Sequence, residues 1–218
     1  MKKLTTQNLK SVFKAVTSYA SLITCVAFYF VTCPAFAAEK KFDEHRADLE
    51  QIETYLNNIH NLSAKFIQET SEGNVSEGKF FLSRPGKMRI EYLAQPKIVI
   101  AVNGAVLSYF DVELDEISRL STNTTPASFL TRENISFFAK DVEITNFKKS
   151  AGQIKVSVMK KNRKEAGEFS LIFATNPLRF SKMEVKNDLD QIVSVTLSDI
   201  DFVSPISDKM FVIKKSSN

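Results

Sequence analysis

Over Asp43–Ile59 the apolar residues recur three and four positions apart; beyond Asn61 they alternate with polar ones. Leu49, Ile52, Leu56 and Ile59 form one stripe, with Asp48, Glu50, Glu53 and Asn57 between them, which predicts a single amphipathic helix. The later period of two predicts strands. Phe80 and Leu82 alternate with Lys79, Phe81 and Ser83, and Met88, Ile90 and Tyr92 alternate with Lys87, Arg89 and Glu91. Ile154, Val156 and Val158 repeat the pattern, as do Phe169, Leu171 and Phe173, and then Val193, Val195 and Leu197. Turn signals separate these runs at Arg84-Pro85-Gly86, Gln95-Pro96, Asn103-Gly104, Ala151-Gly152, Asn176-Pro177 and Asn187-Asp188. Connections this short favour antiparallel neighbours.

The predicted fold class is therefore mainly β (α+β), a single antiparallel sheet with one apolar face. Such a face must curl around something or be covered. Two helical pieces are available: Asp43–Ile59, and a short region around Pro126–Phe138 that interrupts the strands mid-chain. Asn123, Thr124 or Thr125 suits its N-cap and Pro126 its first turn. Phe129, Leu130, Ile135, Phe137 and Phe138 make it unusually apolar for a surface connection. They either fill the core or form a lid over an apolar cavity.

The first 37 residues change the bulk picture. Lys2, Lys3, Lys10 and Lys14 precede an apolar run that includes Val26–Val31 and ends at Ala35-Phe36-Ala37, a small-x-small cleavage site. This is the layout of a secretory signal. The expected division is a signal peptide over 1–37 and a single domain over 38–218. Cys25 and Cys33 follow Thr24 and Thr32, not a small residue, so a soluble product is expected, not a lipid-anchored one. Four of the 29 Lys and Arg residues and none of the 25 Asp and Glu lie in the leader, leaving 25 of each sign. The basic balance thus belongs to the signal, and no nucleic-acid partner is implied. Both cysteines leave with it, which removes thiol chemistry. About 180 residues remain, enough for one domain with a real core.

Catalytic chemistry finds no foothold. There is no G-x-S-x-G, P-loop or H-E-x-x-H pattern, and His45 and His60 are the only histidines. No catalytic residue, metal ligand or cofactor is expected. Asp111, Glu113, Asp115 and Glu116 read as a solvated loop, with weak cation binding as the alternative. Lys160-Lys161-Asn162-Arg163-Lys164 reads as a basic hairpin turn, with a docking patch as the alternative.

The run Glu77-Gly78-Lys79-Phe80-Phe81-Leu82-Ser83-Arg84-Pro85-Gly86-Lys87-Met88-Arg89-Ile90, then Gln95-Pro96, Val102-Asn103-Gly104 and Leu107-Ser108-Tyr109-Phe110-Asp111, resembles the LolA family of periplasmic outer-membrane lipoprotein carriers. The likeness extends over most of the chain after the leader. It implies a curved sheet forming an incomplete β-barrel, with the N-terminal helix and the short mid-chain helix as a lid over an apolar cavity. It also implies lipoprotein acyl chains as cargo, an inner-membrane LolCDE-type ABC transporter as donor, an outer-membrane LolB-type receptor as acceptor, a monomeric carrier and a periplasmic location.

In the family, the arginine before this proline latches the lid, a role the resemblance carries to Arg84. Phe80, Leu82 and Arg84 share one side of a strand, and a guanidinium at the rim has five donors for lid carbonyls. Lid residues are then Pro126, Phe129, Leu130, Ile135, Phe137 and Phe138. The apolar rows supply candidate acyl contacts: Phe80, Leu82, Met88, Ile90, Tyr92, Val156, Val158, Phe169, Leu171 and Phe173. The tail after Phe202-Val203-Ser204-Pro205 is short and is expected to lack a last strand. A carrier of another lipid, or a sensor-type interaction module, is the alternative function.

Overall fold

The computed structural model describes residues 42–214. The predicted signal, its cleavage site and the domain boundary beside it lie outside those residues. A 3-10 turn, Asp43–His45, leads into helix α1 (Arg46–Asn57). Leu49, Ile52 and Leu56 are its buried stripe, as the spacing predicts.

The strands form one 11-stranded antiparallel sheet. They are β1 (Asn61–Thr70), β2 (Val75–Ser83), β3 (Lys87–Tyr92), β4 (Ile98–Asn103), β5 (Val106–Asp111), β6 (Glu116–Ser121), β7 (Val142–Ser150), β8 (Gln153–Lys160), β9 (Glu168–Thr175), β10 (Leu178–Lys186) and β11 (Ile192–Asp201). Their spatial order is β6-β5-β4-β3-β2-β1-β11-β10-β9-β8-β7. Each half is a meander, as short turns dictate. The halves join where β1 pairs with β11, from Ser63 opposite Asp201 to Thr70 opposite Val193. That pairing leaves β6 and β7, neighbours in sequence, at opposite edges of the sheet. Residues 122–141 must therefore pass from one edge to the other.

Register shifts interrupt three ladders: β1–β11 near Ser63/Lys65, β7–β8 near Ile144/Asn146, and β9–β10 near Phe180/Lys182. Irregularities of this kind bend and twist a sheet. The inward rows of both halves, the α1 stripe and the crossing segment form one hydrophobic cluster. Gly78 has a local reason: a Cβ there would lie 2.6 Å from the Phe66 ring and 2.1 Å from the Glu91 carbonyl oxygen.

The crossing segment is less helical than its sequence suggests. Between Pro126 and Phe138 only Ala127–Leu130 forms a helix, α2, of a single turn, after a 3-10 turn at Thr122–Thr124. Further on, Ile135 and Phe137 spend backbone groups on α1 side chains and not on an i→i−4 ladder.

β11 is the last strand among the described residues. The tail then returns to the outer face of β3 and β4 through a 3-10 turn, Asp208–Phe211. Lys87 pairs with Asp208 at 2.6 Å, Arg89 donates to the Met210 carbonyl at 2.7 Å, and Phe211 is buried.

Candidate functional site

The apolar interior is closed by two pieces of chain, α1 and the crossing segment. Phe129, Leu130, Ile135 and Phe137 are all buried in it. Phe129 lies 5.6 Å from the Phe137 ring and 6.3 Å from Phe169 of β9. Pro126 and Phe138 are half-buried, the latter beneath the Arg46 guanidinium at 4.2 Å.

Eight of the ten candidate acyl contacts are buried; Ile90 and Tyr92 are half-buried. Phe80, Val156, Leu171 and Phe173 have 0% exposure. A side chain with no accessible area borders no space large enough for water. In this conformation the interior around them is filled by the chain's own side chains. Beside the cover lies a crevice of about 20 Å³ between Phe129, Val158 and Phe169. Tyr92 closes on Phe66 edge-on at 5.4 Å and donates its hydroxyl to Gln68 at 2.7 Å.

Polar contacts hold the cover. Arg84 sits in the β2–β3 turn and reaches four acceptors. Its Nε donates to the Ile59 carbonyl at 2.9 Å, and Nη2 donates to the Leu56 carbonyl. Its Nη1 reaches the Asn57 side-chain oxygen at 3.4 Å and the Arg132 carbonyl at 3.2 Å. Most of its bonding therefore goes to the C-terminal end of α1, where free carbonyls and the helix dipole favour a cation. One bond goes to the crossing segment. Burial pulls the guanidinium below its ordinary pKa, yet an arginine stays charged. Next to it, the Gly86 N–H donates to the Thr131 carbonyl at 2.8 Å.

Two further residues hold the cover, and sequence reasoning treats both as ordinary polar helix positions. Asn57 forms a reciprocal pair with Ile135: Nδ2 donates to its carbonyl at 3.0 Å, and its N–H donates to Oδ1 at 2.8 Å. Glu53 accepts from the Phe137 N–H at 2.5 Å and the Ser136 hydroxyl at 3.0 Å. Their i,i+4 spacing, which puts both on one side of α1, is the only sequence signal that links them.

At the segment's far end, Arg132 donates to Asp141 at 3.2 Å. Desolvation pushes the Asp141 carboxyl up, but the Arg132 bond and charge outweigh it and hold it below 3.8. Lys160 of β8 donates to the Asn123 carbonyl at 3.1 Å and so ties the β7–β8 side to the segment's start.

The other sequence features lie elsewhere. His45 stacks on Phe147 at 4.1 Å, and His60 is exposed. Asp111 accepts from the Glu113 and Leu114 N–H groups, closing the β5–β6 turn. No group of three or more His, Cys, Asp or Glu among the described residues is placed to hold a metal ion. No helix among them is long and apolar enough to cross a membrane.

An open, covered sheet with this sequence has relatives. Residues 57–214 match the family described as outer membrane lipoprotein carrier protein LolA. The chain belongs to the LolA family. That is a family of carriers and not of enzymes. The outer-membrane lipoprotein carrier protein of Coxiella burnetii (strain CbuK_Q154) is 29% identical over 188 residues, 76% of this chain and 82% of its own. A Rickettsia prowazekii protein described as uncharacterised is 24% identical over 189 residues, 87% of each chain. Among solved structures, a LolA-superfamily protein of Nitrosomonas europaea aligns over 76% of this chain and 97% of its own, with TM-score 0.46 and 11% identity.

Proposed function

We propose that this LolA-family chain is a periplasmic carrier that shelters lipoprotein acyl chains between the two membranes. It takes them from an inner-membrane LolCDE-type transporter and gives them to an outer-membrane LolB-type receptor, with no catalytic step. The observation that carries this reading is the cover: an apolar interior closed by a segment that Arg84, Asn57, Glu53 and Gly86 hold through polar contacts. The basic and then apolar start of the sequence, ending at Ala35-Phe36-Ala37, supports export.

The energetics suit a cover that must be displaced. Burying acyl methylenes is worth about 0.8 kcal/mol each, so a preformed rigid cavity would hold a multi-acylated anchor too firmly to release it. In this carrier the acyl chains replace Phe129, Leu130, Ile135 and Phe137 against the sheet. Each bond the cover gives up on opening costs about 0.5–3 kcal/mol, the upper end applying to the charged donor Arg84. The net affinity falls by that amount, and handover becomes possible. Arg84, on this reading, is a latch that acts mainly by fixing the end of α1 against which the cover closes.

The test uses inner-membrane vesicles holding newly acylated lipoproteins. Adding the mature chain with ATP releases them into solution as a complex. Release that is no greater than without the protein, or recovery of another lipid in place of lipoprotein, refutes the assignment.

A further inference from the structure

The outer face of the sheet carries a second apolar site, independent of the carrier reading. Paired residues of antiparallel strands share a face, so Val99 and Phe110, opposite each other on β4 and β5, both point away from the interior. The tail crosses this face. It is fastened by Asp208, the Met210 carbonyl and buried Phe211. Beyond Phe211 the fit loosens, and a crevice of about 680 Å³ remains, floored by Val99, Phe110 and Val112 and walled by Val212 and Ile213. Val112 is 40% exposed and Val212 46% exposed. The volume lies within the usual 300–1,000 Å³ of small-ligand sites.

The charges around the crevice are unbalanced. Lys209 and Lys214 line it, and neither makes an ion pair among the described residues. Of the acids nearby, Glu91 pairs with Arg89 at 2.6 Å and Asp208 with Lys87 at 2.6 Å; Asp111, beside Val112, accepts from two backbone N–H groups, and Glu113 is exposed in the β5–β6 turn. An apolar floor with two uncompensated ammonium groups suits a molecule with an alkyl body and an anionic head. A wholly apolar ligand would leave the cations unused, and a small inorganic anion would leave the floor wet.

We propose that this crevice binds a single-chain anionic amphiphile of the fatty-acid type, with its carboxylate at Lys209 and Lys214 and its chain against Val99 and Phe110. Laurate, kept below its micellar concentration, is the probe, and dodecyl maltoside is the control with the same chain and an uncharged head. Calorimetric titration of the mature protein gives one laurate site, with dodecyl maltoside weaker by about tenfold or more. Lys209→Gln with Lys214→Gln, two exposed changes that leave the fold intact, weakens laurate by about tenfold, and Phe110→Asp abolishes it. Amide shifts on laurate addition fall at Val99, Phe110 and Ile213.

Shifts at Val156 and Leu171 without shifts at Val99 and Phe110 would put the amphiphile in the interior alone and overturn the proposal. So would equal binding of the maltoside, a double variant that binds laurate normally, or no laurate binding at all. A dimer of the wild type that Phe110→Asp disperses, without laurate binding, would assign the face to a second copy of the chain. Lipoprotein release from vesicles is a separate measurement, so either reading can fail alone.

Discussion

Asn57→Ala removes a side chain that grips the cover through both a donor and an acceptor. Two neutral hydrogen bonds to Ile135 are lost, at 3.0 and 2.8 Å. At about 0.5–1.5 kcal/mol each, closure weakens by about 1–3 kcal/mol. The contact of Asn57 with Arg84 at 3.4 Å is long and adds little. Since 1.4 kcal/mol is tenfold, the population of the open cover rises about 5- to 150-fold. Alanine is also the better helix former, by up to about 0.7 kcal/mol, so α1 itself does not suffer. Hydrogen exchange read by mass spectrometry resolves the effect by segment. Amides within 126–141 should exchange faster by a factor in that range, while β8 and β9 change much less. Equal acceleration in every segment would mean general destabilisation. Unchanged protection at Ile135 and Phe137 would mean that Asn57 does not hold the cover. Either result refutes the reasoning.

Arg84→Leu frees carbonyls at the end of α1 as well as the Arg132 carbonyl; closure weakens and the carrier stays loaded, so delivery to an acceptor slows, and delivery at the wild-type rate sinks the latch role. Arg84→Lys should rescue little, because one ammonium cannot reach four acceptors set around a planar fork. Gly78→Ala forces a methyl into the Phe66 ring and the Glu91 carbonyl and should cost about 1–3 kcal/mol or more, seen as a lower denaturation midpoint; an unchanged midpoint would refute the contact. The Arg132–Asp141 pair gives a pH dependence. The folded carboxyl is held below its unfolded value, so the pair's contribution is present above about pH 4 and fades as pH falls through the folded value. Denaturant midpoints should therefore drop further between about pH 5 and pH 3 in the wild type than in Asp141→Asn, and parallel curves would refute the pairing.

Legibility follows local regularity. β8 and β9 are plain in the sequence because Ile154–Val158 and Phe169–Phe173 keep one parity against the interior. β7 and β10 are not. Their register shifts move the buried row from Ile144 to Phe147 and from Phe180 to Met183, so a period of two breaks mid-strand. β6 hides for another reason: at the edge its inward row is Glu116, Ser118 and Leu120, all exposed. The β1–β11 seam joins residues more than a hundred positions apart, and no local pattern encodes it. The apolar half of the cover is visible as an oily connection, but its polar fastenings are not. Glu53 and Asn57 look solvated until the segment they hold is brought against them.

The route of residues 122–141 has a mechanical consequence. Both ends are sewn to the sheet, one to each free edge, so this piece of chain works as a drawstring and not as a hinged door. Its about twenty residues could stretch to at most about 70 Å. Drawn tight, it pulls β6 and β7 together and deepens the curl. Let out, it allows the two rims to part. If the chain is the carrier proposed above, uncovering the interior and parting the two rims would be one motion, with the opening set by the size of the cargo.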